Sequence, residues 1–88
     1  MTEWYRCHDW TADDGVPRFT IYRYHVLKET RCGVWLGVGG RKRFVLNDAR
    51  KRFAYPTVSE AWESLHARRR RELSILMHRV EYVRKVLW

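Results

Sequence analysis

Residues 56–88, PTVSEAWESLHARRRRELSILMHRVEYVRKVLW, decide the fold, because after Pro56 they contain neither glycine nor proline. Thr57 with Glu60 three residues on is the capping-box arrangement, and Pro56 keeps the chain non-helical just before it. At 100° per residue, Val58, Trp62, Leu65, Arg69, Leu73, Leu76, Val80, Val83 and Leu87 fall on one stripe at spacings of three and four. The spacing therefore predicts one long helix over residues 57–88. At ~1.5 Å per residue it measures roughly 45 Å, against about 20 Å for a strand of five or six residues, so it must outrun any sheet it packs on. In its second half Ile75, Tyr82 and Val86 form a rear set opposite the leucine-valine seam. A helix apolar on two sides needs two partners. The expectation is that the chain's own sheet covers one side and a second copy covers the other, with Ile75, Tyr82 and Val86 as the oligomer interface. Scattered surface apolar residues are the alternative reading of the same three.

The residues before the helix read as strands. Residues 3–10 alternate, with Trp4, Arg6, His8 and Trp10 on one side and Tyr5, Cys7 and Asp9 on the other, which suits a strand near a sheet edge. Asp13, Asp14, Gly15 and Pro17 mark a turn. Residues 18–30 alternate most cleanly, and residues 34–38 pair back on them as a hairpin. Gly39 and Gly40 supply the next turn, Phe44, Val45 and Leu46 a further strand, and residues 52–55 a short last strand or an extended approach to the helix. The class is α+β: an antiparallel meander of about four or five strands in residues 1–55, then one long C-terminal helix on one face. Eighty-eight residues allow a single domain, 1–88.

Charge is the strongest global signal. The chain holds 18 Lys and Arg against 10 Asp and Glu, net +8. Residues 1–15 hold Glu3, Asp9, Asp13 and Asp14 against Arg6 alone, net −3, which leaves +11 on the remainder. Such a surface attracts nucleotides, nucleic acids or acidic protein faces, and the acidic N-terminal stretch can lie on part of it. Two cysteines, Cys7 and Cys32, without CxxC spacing read as buried free thiols. With no apolar run of membrane-spanning length and no signal-peptide pattern at the N-terminus, the expected location is the cytoplasm, with no membrane partner.

Cations cluster three times: Arg41, Lys42 and Arg43; Arg50, Lys51 and Arg52; and residues 68–71, four arginines in a row. The first two triplets flank one predicted hairpin and are expected to form a single cationic edge. Of the helical arginines, Arg68 and Arg71 are expected to face solvent, while Arg69 falls on the stripe. There it can snorkel past the core, pair with a carboxylate such as Glu72 of a neighbouring helix, or hold an anionic ligand. The candidate anion-binding set is Arg41, Lys42, Arg43, Lys51, Arg52 and Arg69. Interleaved aromatics, Tyr22, Phe53 and Tyr55, are candidates for stacking on a base, although strand aromatics also serve as core. Residues 37–42, GVGGRK, lack phosphate-loop spacing and precede a strand, which makes a hairpin turn the better reading.

Catalytic or metal readings find little support. Cys7, His8, His25 and Cys32 lack paired ligand spacing for zinc, and no thiol or hydroxyl is placed beside a base by sequence order. The expectation is a non-enzymatic protein without cofactor or metal; a small hydrolase is the residual enzyme reading.

Residues 43–73, RFVLNDARKRFAYPTVSEAWESLHARRRREL, resemble a group of small proteins of tailed bacteriophages and prophages. The resemblance rests on a glycine-bearing hairpin, a basic-aromatic segment carried by Lys51, Arg52, Phe53, Ala54, Tyr55, Pro56 and Thr57, and an Arg-rich helix. It covers roughly the last half of the chain and brings no established activity. It implies a host-directed accessory protein of the host bacterial cytoplasm. Such a protein would counter host defence by occupying a nucleotide immune signal or the nucleic-acid-facing surface of a defence complex. A DNA- or RNA-binding regulatory module is the alternative.

Overall fold

The computed structural model describes residues 3–88. Four antiparallel strands follow one another, β1 (Glu3–Thr11), β2 (Pro17–Glu29), β3 (Gly33–Val38) and β4 (Arg41–Leu46), before a single helix, α1 (Val58–Leu87). The sheet order β1-β2-β3-β4 is that of a meander, and the expected α+β class holds.

Turn chemistry sets the register. Gly39 and Gly40 have φ of +55° and +78° in a two-residue loop closing the Val38–Arg41 pair, the type I′ conformation that glycines allow at both central positions. The hydroxyl of Thr30 donates to the carbonyl of Gly33 at 2.9 Å and accepts from its amide at 3.1 Å, which closes the preceding turn. β4 begins earlier than residues 44–46 alone suggest. Pairing with Gly37 and Val38 draws Lys42 and Arg41 into the ladder, so the first basic triplet belongs to a strand.

The sheet is apolar on both faces. On one, Trp4, Val34, Leu36, Val45 and Ala54 are buried together, with Tyr24, Val26, Val38 and Phe53 packed around them. The indole N–H of Trp4 is the one buried side-chain polar atom without a hydrogen-bond partner among the described residues. On the other face Cys7, Ala61 and Leu65 are buried with Tyr5, Tyr55 and Trp62 beside them. This second, smaller core is where α1 rests on β1.

Thr57 caps α1, its hydroxyl accepting from the amide of Glu60 at 3.1 Å. Only Ala61 and Leu65 of the helix are buried. Every residue from His66 onward is exposed, which corrects one expectation: the sheet does not cover the second half of the stripe. Leu73, Leu76, Val80 and Val83 are about as bare as the rear set of Ile75, Tyr82 and Val86. The projecting helix gives extents of 58 × 32 × 22 Å and a radius of gyration of 17.3 Å, against about 12 Å for a compact chain of this length. A second correction concerns the cysteines, since Cys7 is buried but Cys32 is exposed. Burial also pushes the Cys7 thiol pKa up. No helix among the described residues is long and apolar enough to cross a membrane.

Candidate functional site

The site is built on a short segment between β4 and α1. Tyr55 pairs antiparallel with Tyr5 on the outer edge of β1, amide to carbonyl in both directions at 2.6 and 2.8 Å. The approach to the helix is thus held as one more rung of sheet, and residues 50–55 run beside the base of α1. The Tyr55 hydroxyl donates to the Ser64 hydroxyl at 2.9 Å, which sets the rotation of α1 about its own axis.

Between this segment and the flank of α1 lies an open groove of about 790 Å³. Its helical wall is hollow because Ala61, Ser64 and Ala67 are small. Its rim is cationic: Arg6 from β1, Arg50, Lys51 and Arg52 from the connecting segment, and Arg68 and Arg71 from the helix. Glu72 is the single acid on it, and Glu72 already accepts from Arg69 at 3.0 Å. Among the described residues no ion pair joins Arg50, Lys51, Arg68 or Arg71 to a carboxylate. These charges are held together without local compensation.

Some of the cations have structural duties. Arg6 donates to the Phe53 carbonyl at 3.0 Å and lies 5.0 Å from the Phe53 ring centroid, and Arg43 covers the same ring at 4.1 Å. Arg52 donates to the Ala49 carbonyl at 3.0 Å and sits 4.8 Å from the Tyr55 ring. The two aromatics expected to stack on a base therefore carry guanidinium groups on their faces. Tyr22, the third, lies outside the groove, near Tyr24 and His8 at ring separations of 6.4 and 6.2 Å.

The expected anion-binding set is divided. Lys51 and Arg52 line the groove, and Arg43 borders it through Phe53. Arg41 and Lys42 stand at the β3–β4 hairpin end, and the strand pleat sends Lys42 to the opposite face from Arg41 and Arg43, so the two triplets do not make one edge. Arg69 is not in the groove. Its guanidinium clasps Asp9, Nε to Oδ2 at 2.7 Å and Nη2 to Oδ1, while Nη1 reaches Glu72 of its own helix. The acidic N-terminal stretch does meet a helical arginine, and the bond from Arg69 holds the Asp9 carboxyl below its ordinary pKa. Arg68 and Arg71 are exposed, as expected, and are the helical arginines that line the groove. Among the described residues no three His, Cys, Asp or Glu side chains converge as a metal site.

No protein-family model, curated protein or solved structure matches this chain.

Proposed function

We propose that the chain is a non-enzymatic capture protein whose groove holds a compact polyphosphate, with a nucleotide as the ligand class. The observation that carries this reading is the set of uncompensated cations around a hollow, hydroxyl-bearing cavity. Arginine fits phosphate through paired N–H donors, and 790 Å³ suits a ligand of nucleotide size. With the resemblance to phage proteins, the role that fits is anti-defence: withdrawal of a nucleotide immune signal in the host cytoplasm. Self-association belongs to the same proposal, since the bare second half of α1, including Ile75, Tyr82 and Val86, is an apolar rod that a second copy can cover.

The openness of the groove favours one second reading, a strand of DNA or RNA, or an acidic protein surface, laid along the same cations. Titration calorimetry separates these readings, using a nucleoside triphosphate, inorganic triphosphate and a single-stranded oligonucleotide at 50 and 200 mM salt. Capture of a small nucleotide predicts tightest binding to the triphosphates with a modest salt effect. An extended strand contacting about six cations loses on the order of 10²–10³-fold over that salt range. Oligonucleotide binding alone, with that steep loss, overturns nucleotide capture.

A further inference from the structure

β1 pairs with residues 17–25 of β2 and β3 with residues 25–29, so α1 lying over β1 leaves the β3–β4 end of this face uncovered. α1 lies over β1, with Ala61 and Leu65 on Cys7, and reaches β2 through the edge-on contact of Trp62 with Phe19, ring centroids 5.0 Å apart. Past Phe19 the same face presents Ile21, Leu27, Trp35, Phe44 and Leu46, each between 36% and 50% exposed. Leu27, Trp35, Phe44 and Leu46 form an apolar floor at the β3–β4 end, and the exposed Arg23 and His25 stand between it and Ile21. Leu27 lies over Gly37, the Phe44 ring lies over Gly33, and the Trp35 and Phe44 ring centroids are 5.0 Å apart.

The same molecule carries an uncovered helix of matching length. From Leu73 to Leu87 the seam of Leu73, Leu76, Val80, Val83 and Leu87 runs about 21 Å at ~1.5 Å per residue, against about 20 Å for a six-residue strand such as β3 or β4. The surface area points the same way. A compact chain of 10.8 kDa exposes about 5,500 Å², and this one exposes 7321 Å², a surplus of roughly 1,800 Å². A standard interface takes about 800 Å² per partner.

We infer that the free half of α1 from a second copy docks on this open sheet face, seam to floor, and that the exchange is reciprocal. Each sheet then carries its own helix over β1 and its partner's over β2 to β4. Two-fold symmetry makes both docking events with one pair of patches. The inference rests on the self-association proposed above and names the surface that receives the helix.

Mixed cysteine cross-linking tests it. In a Cys32→Ser background, where the remaining Cys7 is buried, one full-length copy carries Leu46→Cys and another Val80→Cys. The expected product of mild oxidation is a mixed disulfide dimer joining sheet to helix, identified by peptide mass spectrometry. In parallel, Leu46→Glu, at a half-exposed site that folding tolerates, is expected to give monomers by light scattering with an unchanged circular dichroism spectrum. A dimer that survives Leu46→Glu and cross-links only Val80→Cys to itself overturns sheet docking while leaving self-association standing. A wild-type monomer at the cross-linking concentration overturns both.

Discussion

Arg69 of α1 and Asp9 of β1, sixty positions apart in sequence, are joined by two parallel N–H···O bonds. This clasp lies one turn beyond Leu65, the last buried residue of the helix, and fixes the point at which α1 leaves the sheet. It is a bidentate guanidinium–carboxylate pair, the geometry in which a surface ion pair contributes most.

Breaking the clasp lowers stability and its acid sensitivity together. Arg69 holds the Asp9 pKa below its unfolded value, so the pair's contribution is fully present above about pH 4 and is lost as pH falls through the depressed folded value. Asp9→Asn is expected to cost about 1 kcal/mol in urea denaturation at pH 7. As pH falls from about 4 through the depressed folded value, the difference between variant and wild type should shrink toward zero, and a constant difference would remove the clasp as its cause.

Groove residues and hairpin residues should separate in binding. Arg68→Ala, Arg71→Ala and Lys51→Ala each remove one uncompensated rim charge and are expected to weaken triphosphate binding about tenfold, the equivalent of about 1.4 kcal/mol. Arg41→Ala and Lys42→Ala, at the hairpin end, are expected to change it less than twofold, as is Arg69→Ala, whose guanidinium is taken up by Asp9. Calorimetry with inorganic triphosphate measures all six.

Gly33 is present because nothing larger fits. A Cβ there would lie 2.1 Å from the Val45 carbonyl oxygen and 2.8 Å from the Phe44 ring. Gly33→Ala must push β3 and β4 apart, and is expected to destabilise the fold by roughly 2–3 kcal/mol, read from a lowered denaturant midpoint.

Trp4 and Leu36 share one core yet should respond differently. Leu36→Ala opens a cavity at a fully buried site and is expected to cost about 2–5 kcal/mol. Trp4→Phe also removes volume, but it deletes a buried N–H without a partner, which offsets part of the loss, and about 1 kcal/mol or less is expected. Chemical denaturation of both variants gives the comparison.

The elements that sequence reveals here are those set by local chemistry. Thr57 and Glu60 mark the start of α1, the glycine pair marks the β3–β4 hairpin, and the alternation of β2 marks its faces. What sequence hides depends on distant partners. Which two of four consecutive arginines face the groove follows from the rotation of α1, and that is set by Tyr55 bridging Tyr5 and bonding Ser64. The small side chains of Ala61, Ser64 and Ala67, leading at the same spacing toward Arg68 and Arg71, were the one local sign of the hollow wall. Arg69 meeting Asp9 had no such sign beyond opposite charge. The bare helix stripe was equally hidden, because periodicity shows that a face is apolar and leaves open what lies against it.

In the proposed function, the rim cations gathered by residues 50–55 and the flank of α1 hold a compact polyphosphate. The most direct measurement is titration of a nucleoside triphosphate into wild-type chain and into the Arg68→Ala, Arg71→Ala double variant, with circular dichroism confirming that both are folded. Saturable binding by the wild type, reduced about a hundredfold in the variant, is the predicted result. Equal affinity in both, or no binding by the wild type, contradicts it.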